Sequence, residues 1–243
     1  MFYNITQRNM KKKLLTIKML FVGTIVMLSS CNKISTEGET SITYYPTLSL
    51  EGESVIVVDK GTQFTEPGYS AILNGIDVTE NVVVTSNIDV NKSGFYTITY
   101  TITNADGFAK NASRQIIVMD LEDKIEGFYT TTLDCYRMSS AGRTDYGKEF
   151  DLTILSNGDG TYTINDMLGG YYEQRAGYGS LYAMEGVFEI NADGTIVGIS
   201  GNVAGWGDSM DSLDDGTYDE ATKTISWKVV YADMDFYVTM KKQ

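Results

Sequence analysis

The chain of 243 residues carries 32 acidic and 19 basic side chains, a net charge of −13, with two cysteines and no histidine. Without histidine it can hold no Ser-His or Cys-His nucleophile pair, no histidine zinc site and no imidazole pH switch. Its acidity opposes nucleic acid and anionic lipid headgroups, while 24 glycines, 17 tyrosines and a near absence of amphipathic helical spacing predict an almost all-β protein.

At the start of the chain, Lys11, Lys12, Lys13 and Lys18 surround the entry to a short apolar run, Met19 to Leu28, followed by Ser29, Ser30 and Cys31. The run falls short of the roughly 20 apolar residues of a membrane-spanning helix, so residues 1–30 read as an export signal. Met10, which opens Met-Lys-Lys-Lys, is the expected translation start. The pattern resembles the signal of bacterial lipoproteins, which implies cleavage before Cys31, acylation of its thiol and attachment to a membrane. Loss of the five basic residues ahead of Cys31 takes the net charge to −18. With Cys31 acylated, Cys135 has no partner for an intramolecular disulfide, and the alternation in Leu133-Asp134-Cys135-Tyr136-Arg137 predicts a buried thiol in a strand. Residues 31–44 are polar and read as a flexible tether. Glu37 and Glu39, soon after the cysteine, resemble the surface-export signals of Bacteroidota lipoproteins and imply an outer-membrane protein facing the cell exterior.

Residues 45–119 form the first predicted domain. Phe95 to Thr103 alternates strictly, with Tyr96, Ile98, Tyr100 and Ile102 on one face and threonines on the other, so this is a strand with one buried side. Val55 to Val58, Val82 to Thr85 and Arg114 to Val118 are further β-branched runs, separated by glycine-containing turns. Strands this short and this closely spaced predict a sandwich. Val57-Val58-Asp59-Lys60-Gly61, Glu66-Pro67-Gly68-Tyr69, Ser93-Gly94-Phe95-Tyr96 and Arg114-Gln115-Ile116-Ile117-Val118, in that order, resemble the bacterial surface-protein immunoglobulin-like domain also found in some pesticidal crystal proteins. The resemblance implies a spacer or adhesion module without catalysis.

After a charged linker at 120–126, residues 127–243 read as a second β domain. Phe128 to Tyr136, Glu149 to Leu155, Thr161 to Asn165, Tyr182 to Ile190, Thr195 to Gly201, Thr224 to Tyr231 and Asp235 to Met240 are its predicted strands. Asn157-Gly158-Asp159-Gly160, Asn191-Ala192-Asp193-Gly194 and Asp214-Asp215-Gly216 read as hairpin turns between them. Successive hairpins predict an antiparallel up-and-down meander that closes into a barrel and so loses its edges. Ile125-Glu126-Gly127-Phe128-Tyr129 and Gly216-Thr217-Tyr218-Asp219 resemble the lipocalin-like domains of Bacteroidota lipoproteins.

Three features could carry chemistry. Tyr171, Tyr172, Arg175, Tyr178 and Tyr182 lie in a glycine-punctuated stretch with no clean period, which reads as a long loop; Trp206 would join them if its loop lies at the same barrel end. Tyrosine and tryptophan offer flat rings and a polar handle to a sugar or peptide, though such rings equally serve to cap a barrel core. Asp208, Asp211, Asp214 and Asp215 form an acidic run that could supply oxygen ligands to calcium, or simply a solvated loop. Glu185 and Glu189 share a strand face but carry no specific glycosidase signal. Neither a cofactor nor a catalytic constellation is predicted. The order of anchor, tether, spacer and aromatic barrel resembles the accessory lipoproteins of Sus-like nutrient-uptake systems. That implies capture of a glycan, or less favourably a peptide, for a TonB-dependent transporter. The alternative is a lipoprotein that packs on the transporter complex without a ligand of its own.

Overall fold

The computed structural model describes residues 42–243, of which Tyr44–Gln243 form one compact unit. The predicted signal, Cys31 and most of the predicted tether lie outside the described residues.

In the N-terminal domain, β1 (Thr47–Leu50), β3 (Tyr69–Leu73) and β4 (Ile76–Asp77) make one sheet. The facing sheet contains β2 (Val55–Asp59), β7 (Ala109–Met119), β6 (Gly94–Thr103) and β5 (Val83–Ser86), in that order, with β2 parallel to β7 and the other pairs antiparallel. The alternation along β6 has its expected effect: Ile98, Tyr100 and Ile102 are buried, and Ile98 and Tyr100 pack with Val58, Ile116 and Val118 between the sheets. Arg114 is a charge inside this domain. Its guanidinium donates to the carbonyls of Glu51 (2.6 Å) and Glu53 and pairs with Glu66 at 3.2 Å, while the Tyr100 hydroxyl donates to the same carboxylate. These partners offset the cost of burying the charge, although Nε has none, and they tie the loops around Glu51 and Glu66 onto β7.

The C-terminal domain is an eight-stranded antiparallel barrel. Its staves, in ring order, are β8 (Gly127–Thr131), β11 (Asp151–Ser156), β12 (Thr161–Ile164), β13 (Met184–Ile190), β14 (Thr195–Val203), β16 (Ser212–Asp219), β17 (Thr224–Tyr231) and β18 (Met234–Lys242). Pairing of Met240 with Thr131 and Lys242 with Tyr129 closes the ring. A hairpin of β9 (Tyr136–Ser139) and β10 (Gly142–Asp145) extends from β18, and β15 (Asp208–Ser209) lies on β14. Along β17, Ile225, Trp227, Val229 and Tyr231 alternate inward and are buried, and with Ile154, Phe188, Phe236 and Val238 they fill the interior. Eight strands enclose a space that side chains can fill.

Two predicted elements differ. Phe128 to Tyr136 is not one strand, because the chain turns at Thr132–Cys135 before β9. Cys135 is buried as expected but sits in that turn, where its thiol bonds to the Thr239 carbonyl at 3.3 Å and burial raises its pKa. Asp214-Asp215-Gly216 is not a hairpin turn: it is a bulge within β16, with Asp215 at φ 54° and the register slipping between Asp214 and Thr217. The other two motifs do make hairpin turns, of one design. Asn157 and Asn191 bond to Thr161 and Thr195, whose amides donate to Asp159 (3.0 Å) and Asp193 (2.9 Å).

The two domains meet on a small apolar cluster, Ile117 and Met119 of β7 against Leu155 and Phe128. Beside it Glu126 is buried and accepts from the Ser93 hydroxyl and the Asp120 amide, both at 3.1 Å. The predicted linker is thus a bonded joint. Strand directions send residues 165–183, 204–211 and 232–233 to the far end of the barrel, away from it.

Candidate functional site

The far end of the barrel is built around one carboxylate. Asp166 follows β12 and is fully buried; its Oδ1 accepts the amides of Leu168 (2.8 Å) and Met184 (3.1 Å), and its Oδ2 that of Gly170 (3.1 Å). Burial pushes this carboxyl up to about 7, against the pull of those three amides. The bonds fold Met167 and Leu168 into the barrel mouth as a plug. The Trp227 indole donates to the Met167 carbonyl at 2.9 Å and the Tyr146 hydroxyl to that of Leu168 at 2.6 Å. Gly170 then turns at φ 80°, where a Cβ would meet that of Phe150 at 2.9 Å, so only glycine fits.

From this turn the predicted loop continues as a single π-helical turn, Tyr171–Arg175, and a 3₁₀ turn, Ser180–Tyr182. The structure divides the six aromatic-loop candidates. Tyr171 is a correction to the ligand-binding reading, because it is buried against Tyr146 and Phe236 and caps the core. Arg175, half-buried, donates from Nε to the carbonyls of Asp145 and Tyr146, both at 3.2 Å, and its guanidinium lies 5.0 Å from the Tyr171 ring. Arg137 lies 5.0 Å from the same ring. Both cations thus lie against the buried ring that caps the core.

Tyr172 and Tyr182, half-buried against the barrel core, come together with the exposed Tyr178 and Trp206. Ring centroids of the three tyrosines lie 4.8, 6.2 and 4.9 Å from that of Trp206, and Tyr172 stacks on Tyr178 at 6.1 Å. The Gly205 amide donates to the Leu181 carbonyl at 2.6 Å, which fixes the Trp206 loop against the tyrosine loop. Tyr178 is 56% exposed, Trp206 44% and Leu181 65%, so the cluster is an open aromatic apex.

Sequence reasoning missed Asp166, Leu181 and Tyr231. Tyr231 supports the apex from below, 6.4 Å from Trp206, with its hydroxyl donating to Asp208 at 2.7 Å. The inward alternation of β17 could have identified it; Asp166 has no such signal, being one acid in an aperiodic stretch.

The four aspartates are not brought together. Asp208 accepts from Tyr231, Asp214 pairs with Lys228 at 2.9 Å, and Asp215 occupies the bulge. Among the described residues no group of three acidic or thiol side chains is arranged to hold a metal ion. Glu185 and Glu189 are exposed on β13.

Residues 48–118 match the family model of the bacterial surface protein Ig-like domain, and residues 118–242 match that of a family described as "-like, C-terminal domain". No curated protein matches the chain. The crystal structure of lipoprotein BT2262 from Bacteroides thetaiotaomicron is similar at 41% identity and a TM-score of 0.67, over 82% of this chain and 100% of that one. Two structures of Clostridium perfringens ZmpB also match. One is the M60 catalytic domain with CBM51-1 and CBM51-2, at 15% identity and a TM-score of 0.28 over 51% of this chain and 15% of that one. The other is CBM51-2 in complex with GlcNAc and INT domains, at 18% identity and 0.27 over 49% and 31%. Similarity at that level carries no argument. With an identity of 41% across an all-β, two-domain chain, the protein belongs to the family of the Bacteroides lipoprotein BT2262.

Proposed function

We propose that this protein is a non-catalytic, lipocalin-like lipoprotein, anchored to the outer membrane through Cys31 and facing the cell exterior, that captures a nutrient oligomer for a TonB-dependent, Sus-like transporter. The observation that supports capture is the apex: Tyr172, Tyr178, Tyr182 and Trp206 converge from two loops on the barrel end opposite the joint. The interior is filled with side chains, so the ligand is read on this open surface. Exposed aromatic rings suit the CH faces of a sugar, and the absence of a cation among the four favours a neutral glycan over an acidic one. In this reading the immunoglobulin-like domain holds the apex away from the membrane.

Purified residues 32–243 are expected to bind a neutral oligosaccharide from a glycan and peptide panel, with Tyr178→Ala and Trp206→Ala each weakening it about tenfold or more. Binding that is absent, or unchanged in both variants, contradicts the reading. On intact cells the mature chain is expected to be cleaved by added protease, and full protection contradicts exterior display.

Leu181, exposed beside Trp206 and Tyr178, favours a second reading in which the apex packs on a protein of the transporter complex. It predicts co-purification with that partner and no soluble ligand.

A further inference from the structure

A concavity of about 600 Å³ lies at the joint end of the barrel, between the linker and the turns that follow β11, β13 and β16. Its volume falls within the range of small-molecule sites, and it opens beside the interdomain linker. Ile125 and Ile190 give it an apolar lining, and Tyr162 and Tyr218, half-buried against the barrel core, add two aromatic rings. The Tyr162 hydroxyl lies 3.4 Å from Asp123, and that of Tyr218 donates to the Lys124 carbonyl at 3.3 Å. Burial, with Asp123 beside it, pushes the Tyr162 phenol up to about 12, so it stays a neutral donor.

The charges around this lining are unequal. Asp123, Asp193 and Glu220 line the cavity against one base, Lys124, which Glu220 already pairs at 2.6 Å. Thr195 holds the Asp193 carboxyl below the usual range, so it remains ionised. Asp123 spends Oδ1 on the amides of Ile125 and Glu126 and keeps Oδ2 on the Tyr162 side. Lys242 reaches the Asp123 carbonyl at 2.6 Å, with Asp120, Glu126 and a second base, Lys223, also around it. Aromatic and aliphatic side chains beside an excess of carboxylates over bases form the arrangement that recognises an organic cation, through charge and through the ring faces.

We infer that this cavity is a binding site for a protonated primary amine carried on a compact alkyl or sugar body. The site is separate from the apex and does not depend on it.

The test is titration of ¹⁵N-labelled residues 32–243, which contain the whole compact unit, with Nα-acetyl-lysine amide and with glucosamine. These two separate a basic peptide side chain from an amino sugar as the source of the amine. At least one is expected to give saturable shifts at residues 191–194 and 123–125. The neutral counterparts, Nα,Nε-diacetyl-lysine amide and N-acetylglucosamine, are expected to give none. Asp193→Asn retains an acceptor for Thr195, and its effect, like that of Glu220→Gln, is to weaken binding about fivefold to tenfold while the rest of the spectrum shows the fold intact. Lys124→Gln tightens it. Trp206→Ala and Tyr178→Ala leave it unchanged, which keeps failure here distinct from failure at the apex. Equal binding of the neutral counterparts, shifts confined to the apex, or no saturable shift with either amine overturns the inference.

Discussion

At the scale of single residues, Asp166 anchors both ends of the loop that carries the apex tyrosines. A carboxylate with no cation beside it is held by three amides, and those amides fix the backbone that carries Tyr171 to Tyr182. Its folded-state pKa, about 7, lies above the 3.8 of an unperturbed aspartate, so the folded chain binds a proton that the unfolded chain has released between those values. The sign follows: the contribution is fully present below about pH 4 and is lost as pH rises through 7. Denaturant unfolding is expected to show the wild type losing more stability between pH 4.5 and 7.5 than Asp166→Asn. The variant is less stable by about 1–3 kcal/mol at pH 8, because its amide sets a donor against the Gly170 amide. Equal slopes for the two proteins contradict the assignment. The aromatic residues of this region were legible as a group, but the division of labour among them was not. Tyr171 and Tyr172 are adjacent in sequence, and only the π-helical turn sends one into the core and leaves the other half-exposed beside Trp206.

Elements were legible where alternation and turn chemistry agree. β6 and β17 read directly from period two, and the Asn-x-Asp-Gly-Thr turns after β11 and β13 are the same local hydrogen-bond device used twice. The third Asp-Gly-Thr lacks the preceding asparagine at the matching position, and without that bond it forms a bulge in a continuous strand. Gly216 is required there by packing: a Cβ would meet the Ile196 carbonyl oxygen at 2.7 Å, an atom held in the sheet. Gly216→Ala is therefore expected to cost about 1–3 kcal/mol in denaturant unfolding, and a cost near zero contradicts the bulge geometry. The hairpin β9–β10 gave no warning in the sequence, since Arg137, Ser139, Arg143 and Asp145 dilute its alternation. It is held by contacts that periodicity does not report, among them Tyr136 stacked on Tyr237 at 4.4 Å and Arg143 over Tyr136 at 3.7 Å.

Over the whole molecule, the chain order of sandwich, joint and barrel could be read from composition, because charge and turn residues concentrate where one domain ends. The fixed character of the joint could not, since it rests on the burial of Glu126 and on Met119 meeting Leu155 across domains. A firm joint gives the barrel a definite far end, and the four aromatic side chains occupy it. The protein has two tryptophans, and they sit in opposite environments: Trp206 is 44% exposed at the apex while Trp227 is 3% exposed in the core. Acrylamide quenching of tryptophan fluorescence therefore reports the apex against an internal control. With a bound neutral oligosaccharide, the quenchable component is predicted to fall towards that of Trp206→Phe, which retains only the buried indole. A ligand that binds the protein yet leaves Trp206 as accessible as before would contradict capture at the apex.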